Sequence, residues 1–143
     1  MILSLMKEKI LVVEDDLDLQ KMYTEILESD EYQIETASNG EEGVMKFKEV
    51  NPTLIIMDSD MPILNGYDAS LKIKQIDKNA KIILITGYSK VAEGIQEKGG
   101  DEFVEIITKP IGMDFLLETV KNIVSKKYCT IIFKNINSEK NQL

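Results

Sequence analysis

The sequence predicts an α/β fold built on a doubly wound, parallel sheet of five strands, each followed by a helix. Continuous apolar runs of strand length alternate with segments whose apolar residues recur at helical spacing. The first, third and fourth runs are uninterrupted, as expected for strands covered on both faces, whereas polar residues interrupt the second and fifth. The weaker runs therefore belong at the edges of the sheet and the stronger ones at its centre.

The first part of the chain contains two strand–helix units. Ile10 to Val13 is an apolar run followed by acids, and helical spacing begins at Leu19, with Asp16 as a candidate N-cap. Tyr32 to Thr36 alternates apolar and polar residues, which is typical of a half-buried edge strand. Ser38 to Glu41 has the form of a capping box and predicts the start of the second helix.

The third and fourth strands end in residues that carry chemistry. Thr53 to Met57 forms a continuous run into Asp58, and the next helix is predicted to start near Asn65. Ala80 to Ile85 is equally continuous and ends in Thr86. A buried strand thus leads to an acid in one case and to a hydroxyl in the other.

The last part of the chain contains a weak helix pattern, the fifth strand and a strong helix pattern. Ser89 to Lys98 contains a glycine and few apolar residues, so we expect a short and comparatively mobile helix. Phe103 to Thr108 predicts the fifth strand, which leads into Lys109. Met113 to Val124 has a continuous apolar stripe and predicts an amphipathic helix.

Right-handed crossovers and two weak edge strands favour the strand order 2-1-3-4-5, which makes the fold flavodoxin-like. In such sheets the ligand binds at the carboxyl ends of the strands, where the order reverses between strands one and three. Polar residues stand at four of these ends: Glu14, Asp15, Asp58, Asp60, Thr86 and Lys109.

Carboxylates brought this close together repel one another, and a hard divalent cation with oxygen ligands relieves the repulsion, most economically Mg²⁺ or else Mn²⁺. The ammonium of Lys109 and the hydroxyl of Thr86 add donors of the kind that a transferring phosphoryl group requires. One acid at a strand end is usually only a turn or helix cap. The ordered set at four strand ends favours a common site over four unrelated turns.

Composition limits the remaining possibilities. The chain has 143 residues, enough for one domain with a core, and we expect a tail over 1–6, a domain over 7–127 and an extension over 128–143, first apolar and then disordered. The net charge of −8 and the absence of arginine disfavour direct nucleic-acid binding. One cysteine and no histidine exclude an intrachain disulfide and a Ser-His-Asp triad. No run is long enough for a membrane span, and we expect a cytoplasmic protein.

Four motifs resemble the receiver domain of two-component response regulators, the CheY-like family. They are ILVVEDD at Ile10–Asp16, IIMDSDMPILNG at Ile55–Gly66, ILITG at Ile83–Gly87 and TKPI at Thr108–Ile111. Each motif alone is modest, but the ordered set is specific. The resemblance covers about residues 7–127.

The resemblance implies that Asp58 accepts a phosphoryl group from a phosphohistidine on a sensor histidine kinase or phosphotransfer protein. It further implies that Asp15 binds the metal directly, Glu14 largely through water, and Asp60 through its backbone carbonyl; we expect Asp58 to complete the ligand set. Such a domain catalyses its own phosphorylation and dephosphorylation, and turnover of an external substrate is not expected.

The resemblance also implies that Thr86 and Lys109 contact phosphoryl oxygens. These contacts would change the conformation of a surface that a downstream effector protein recognises. Phosphorylation-dependent homodimerisation is a further option. The family usually has an aromatic residue three positions before the lysine, where this chain has Ile106, and Phe103 lies six positions before it. Thr86, Phe103 and Ile106 are therefore the switch candidates.

Alternatives remain open at this point. Asp58 and Asp60 also form the DxD of haloacid-dehalogenase-like phosphatases, although that motif usually stands on the first strand. A metal-dependent nuclease is disfavoured by the acidic charge. A receiver-like interaction module without phosphorylation is a third class. The chain is expected to be either a stand-alone receiver or part of a longer protein.

Overall fold

The structure is a computed structural model in which residues 7–87, 94–95 and 102–125 are described. Within them, five parallel strands form one sheet in the order β2-β1-β3-β4-β5, which confirms the predicted flavodoxin-like order. The strands are β1 (Lys9–Val13), β2 (Gln33–Ala37), β3 (Leu54–Asp58), β4 (Ile82–Thr86) and β5 (Glu105–Thr108).

Helices follow the strands along the chain. They are α1 (Leu17–Glu28), α2 (Gly40–Val50), α3 (Gly66–Ile76) and a helix over 113–125, here α4. Residues 94–95 are helical, but the rest of the helix predicted over Ser89–Lys98 lies outside the described residues. The extension over 128–143 also lies outside them.

The helix starts are set by polar side chains. Asp16 caps α1 as predicted, because its carboxylate accepts hydrogen bonds from the amides of Asp18 and Leu19. The capping box of α2 is one residue later than predicted. Asn39 is the N-cap and accepts from the amide of Glu42, whose carboxylate accepts in return from the Ser38 amide. Two consecutive glutamates follow two possible caps, so the sequence pattern fits either register.

Two residues predicted to follow strands belong to the strands themselves. Asp58 is the last residue of β3 and pairs with Ile85, and Thr86 is the last residue of β4 and pairs with Thr108. Both are buried. Their backbones are therefore fixed by the sheet ladder rather than by loop conformation.

The core explains the continuous apolar runs. Alternate residues of the central strands pack with α2 and α3 in one cluster that includes Leu11, Ile55, Leu84, Phe47 and Ile73. The intervening strand residues are buried as well, from Ile10 to Ile85. Both faces of the three central strands are therefore buried, as expected for the centre of a parallel sheet.

The chain divides into two compact units between Ile111 and Gly112. The first contains the whole sheet and α1 to α3, and the second contains α4. Within α4, Leu116, Val120 and Val124 are buried, which agrees with the predicted apolar stripe. None of the helices in the described ranges is long and apolar enough to cross a membrane.

Candidate functional site

The site lies where β1, β3, β4 and β5 end together. The last paired residues of neighbouring strands are Val13 with Met57, Asp58 with Ile85, and Thr86 with Thr108. This register brings the residues that follow β1 and β5 to the same edge as Asp58 and Thr86. Residues that are far apart in sequence therefore form one cluster in space.

Three carboxylates meet at this edge. Glu14 is only 1% exposed and Asp58 only 4%, whereas Asp15 is exposed. One carboxylate oxygen from each lies within 4.8 Å of the others. Burying two acids side by side is costly unless a cation or hydrogen bonds compensate the charge.

Lys109 supplies part of that compensation. Its ammonium lies 2.9 Å from Oδ1 of Asp58 and 3.6 Å from Oε1 of Glu14. These two buried oxygens have no other partner of hydrogen-bond geometry among the described residues. Among the described residues, Lys109 pairs with two of the three carboxylates, so the cluster keeps an excess of negative charge.

The electrostatics follow from this arrangement. Burial, and then the charge of Asp58, raise the pKa of Glu14 from 4.5 to about 7 against the opposing effect of Lys109. Burial also raises the pKa of Asp58, although the hydrogen bond and charge of Lys109 oppose it. Burial lowers the pKa of Lys109, but its bond to Asp58 and the charges of both acids outweigh burial and raise it overall.

The donor set fits a hard divalent cation. All three candidate ligands are oxygens, two of them have no cationic or hydrogen-bonding partner besides Lys109 among the described residues, and the cluster is anionic even with its lysine. Opposite ligands of an Mg²⁺ ion are about 4.2 Å apart, twice the usual bond length. The 4.8 Å limit on the carboxylate oxygens is compatible with one ion and its waters.

The remaining predicted residues differ in their relation to this cluster. Thr86 is fully buried beside it, and its carbonyl accepts a 2.7 Å hydrogen bond from the amide of Lys109. Asp60 is exposed and does not belong to the carboxylate group found among the described residues. Phe103 packs in the core with its ring centroid 6.1 Å from that of Tyr67, and Ile106 packs partly buried against the same core.

The backbone of Gly66 packs closely against the backbone of Asp58. The amide of Gly66 donates to the carbonyl of Ser59, and a Cβ at Gly66 would lie 1.8 Å from the carbonyl oxygen of Asp58. Only glycine fits this contact. The glycine of the IIMDSDMPILNG motif therefore allows α3 to start directly against the strand that holds Asp58.

Two residues of α1 near the site were not singled out from the sequence. Tyr23 is 2% exposed, and burial followed by the charge of Glu14 raises its pKa, which places its hydroxyl in the field of the cluster. Gln20 donates from Nε2 to the carbonyls of Glu14 and Ala37. Tyr23 falls on the predicted apolar stripe, and Gln20 has no sequence signal beyond following Asp16 by one helical turn.

Comparisons with known proteins agree on one family. The family described as the response regulator receiver domain matches residues 10–121. The chemotaxis protein CheY of Thermotoga maritima is 36% identical over 124 residues, which cover 85% of this chain and 100% of that protein.

Solved structures give the same result. A CheY-like receiver domain protein from Methanospirillum hungatei has a TM-score of 0.80 at 25% identity, covering 87% of this chain and 99% of that one. The response regulator TrrA from Thermotoga maritima, solved in complex with Mg²⁺-BeF, has a TM-score of 0.73 at 35% identity, covering 81% and 98%.

Proposed function

Because this chain belongs to the family of response regulator receiver domains, we propose that Asp58 is its phosphoacceptor and that the acids of the cluster hold Mg²⁺ or Mn²⁺. The contact that supports the proposal most directly is the 2.9 Å approach of the Lys109 ammonium to Oδ1 of Asp58. A nucleophile paired with a fixed cation, beside two further carboxylates, is suited to accept a phosphoryl group.

In the proposed reaction an Asp58 carboxylate oxygen attacks the phosphorus of a phosphohistidine. The new O–P bond forms as the P–N bond breaks, and the leaving imidazole takes up a proton from solvent. A bound divalent cation would neutralise charge on the phosphoryl oxygens. Lys109 neutralises charge from the other side, since its ammonium already contacts the attacking carboxylate.

The neighbouring residues have separate roles in this proposal. Asp15, exposed at the rim, binds the ion directly, and the buried Glu14 binds it largely through water. Asp60 contributes its backbone carbonyl, which agrees with an exposed side chain that stays outside the carboxylate cluster. Thr86 donates its hydroxyl to a phosphoryl oxygen once the acid is modified.

The partners follow from the reaction. We propose that this chain acts in the cytoplasm, with a sensor histidine kinase or phosphotransfer protein as donor and an effector protein that recognises the phosphorylated form. Thr86 and Lys109 would link the phosphoryl group to the switch, with Phe103 and Ile106 as further candidates. The dehalogenase-like alternative needs Asp60 beside Asp58 in the site, and its exposure does not favour that.

The test is incubation of the protein with Mg²⁺ and acetyl phosphate or phosphoramidate, followed by intact-mass spectrometry. We expect one added phosphoryl group that is stable in acid and labile in base, and its loss in Asp58→Asn. Asp60→Asn is the matched control, because it keeps the backbone carbonyl assigned to the metal and removes only a carboxylate that lies outside the cluster. The proposal would be contradicted if the wild type gained no phosphoryl group, or if Asp58→Asn gained the same group. Steady hydrolysis of unrelated phosphomonoesters would instead favour a phosphatase.

A further inference from the structure

We propose that Gln20 is a positioning residue for the metal-binding acids, an inference that rests on the proposed function. Its side-chain amide is half-buried on α1 and donates two hydrogen bonds, 3.0 Å to the carbonyl of Glu14 and 3.1 Å to the carbonyl of Ala37. A carboxamide has two N–H donors, and both are used here. Gln20 thus joins the loop after β1 to the end of β2.

The two hydrogen bonds from Gln20 lie where the backbone pairing of β1 with β2 ends. The amide of Glu14 still donates to Ala37, at 3.0 Å, but β2 ends at Ala37 and Asn39 already caps α2. No further β2 amide is available for the Glu14 carbonyl. Within the described part of the chain, Gln20 supplies the donor that a longer strand would have supplied.

This bridge fixes the backbone from which two of the three carboxylates project. Glu14 is held through both its N–H and its carbonyl, and Asp15 follows it directly. Glu14 is 1% exposed in an anionic cluster, so its side chain gains hydration if the loop opens. Without Gln20 the loop would be free to relax toward solvent and to separate the acids from Asp58.

A purely structural role is the competing explanation, since the same bonds also attach α1 to the sheet. The two explanations predict different measurements. A structural bridge affects the stability of the metal-free protein alone, whereas a positioning residue also affects the affinity for Mg²⁺. Residues that orient metal ligands typically change metal affinity by about 10-fold or more when they are replaced.

The test compares Gln20→Met, which keeps the length of the side chain but removes both donors, with Gln33→Met as matched control. Gln33 is exposed on β2, and its backbone amide donates to the carbonyl of Glu8. We expect the dissociation constant for Mg²⁺, measured by isothermal titration calorimetry, to rise roughly 10-fold in Gln20→Met and to stay unchanged in the control. Gln20→Asn keeps an amide that is one methylene shorter and should give an intermediate value.

Side-chain amide exchange provides a second measurement without metal. By NMR in EDTA, the Nε2 protons of Gln20 should exchange more slowly with solvent than those of Gln33. Equal exchange rates, or a lower urea midpoint in Gln20→Met with unchanged Mg²⁺ affinity, would overturn the inference. Failure of the wild type to bind Mg²⁺ would instead count against the proposed function, so the two failures are distinguishable.

Discussion

The ammonium of Lys109 lies 2.9 Å from Oδ1 of Asp58 and 3.6 Å from Oε1 of Glu14, so one cation is shared by two buried acids. With Asp15 within 4.8 Å, the lysine balances only part of the charge. Lys109 and a divalent cation would each stabilise the ionised acids of this pocket. Because both are positively charged, the presence of one weakens the binding of the other. The contact of Lys109 with Asp58 also joins the residue after β5 to the end of β3.

Replacing Lys109 with alanine should tighten Mg²⁺ binding, because removal of the ammonium leaves the pocket more negative. Phosphorylation by phosphoramidate should persist, since Asp58 and the other acids remain. The conformational response to phosphorylation should be lost, which a comparison of amide NMR spectra before and after phosphorylation would show. Lys46→Ala is the control, because Lys46 pairs with Glu35 at the surface. A full spectral response in Lys109→Ala would contradict a switch role for the lysine.

The metal-free protein should lose stability as pH rises. Folding raises the pKa of Glu14 from 4.5 to about 7, mainly through burial, so the folded state binds the additional proton between these values. Stability is then highest at the acid end of this window and falls as pH rises through it, by up to about 3 kcal/mol. Urea unfolding in EDTA from about pH 5 to about pH 8 measures the slope.

Glu14→Gln should flatten this slope, whereas the surface variant Glu35→Gln should leave it in place. Saturating Mg²⁺ should reverse the sign, because the ion binds the ionised acids and its affinity rises with pH. A metal-free wild type whose stability does not change across the window would contradict the strained burial of Glu14.

The sequence was sufficient for the fold and for the meeting of three acids with Lys109 at one edge of the sheet, whereas the side chain of Asp60 lies outside the carboxylate group of the described residues. Continuous apolar runs identified the central strands, and parallel topology then brought the residues at the ends of β1, β3, β4 and β5 to one edge. What it did not predict were boundaries that depend on side-chain geometry. Asn39 rather than Ser38 caps α2, and Asp58 and Thr86 lie within strands, because a capping amide and a ladder partner decide these positions locally.

Contacts between residues that are distant in the chain also could not be predicted from the sequence. The two bonds from Gln20 need the end of β2 to lie beside the loop after β1, and no local pattern marks a glutamine for that role. The sharing of Lys109 between two acids likewise requires distances. Such tertiary contacts follow from topology plus rotamers, and only topology can be inferred from hydrophobic patterning.

Gly66→Ala should destabilise the protein by about 2–4 kcal/mol, because the new Cβ would lie 1.8 Å from the carbonyl oxygen of Asp58 and the backbone must shift. Phosphorylation by phosphoramidate should slow as well, since the shift displaces the end of β3. Gly112→Ala is the matched control, because a Cβ there meets nothing within 4 Å. Urea unfolding and the rate of phosphoryl uptake measure the two effects, and equal stability of the two variants would contradict the close contact.

Replacing Ile63 should stabilise the protein. Ile63 has φ of 70°, a left-handed conformation that is strained for a β-branched residue, and its side chain is 76% exposed, so little packing offsets the strain. Ile63→Asn, which tolerates this conformation, should raise the free energy of unfolding by about 1 kcal/mol. Ile63→Ala is the control, because it removes the same exposed apolar surface but lacks the polar side chain with which asparagine can hydrogen-bond locally in the left-handed conformation, and it should gain less. Both are measured by urea unfolding in EDTA. An asparagine variant no more stable than the alanine variant would show that the backbone at Ile63 is not under strain.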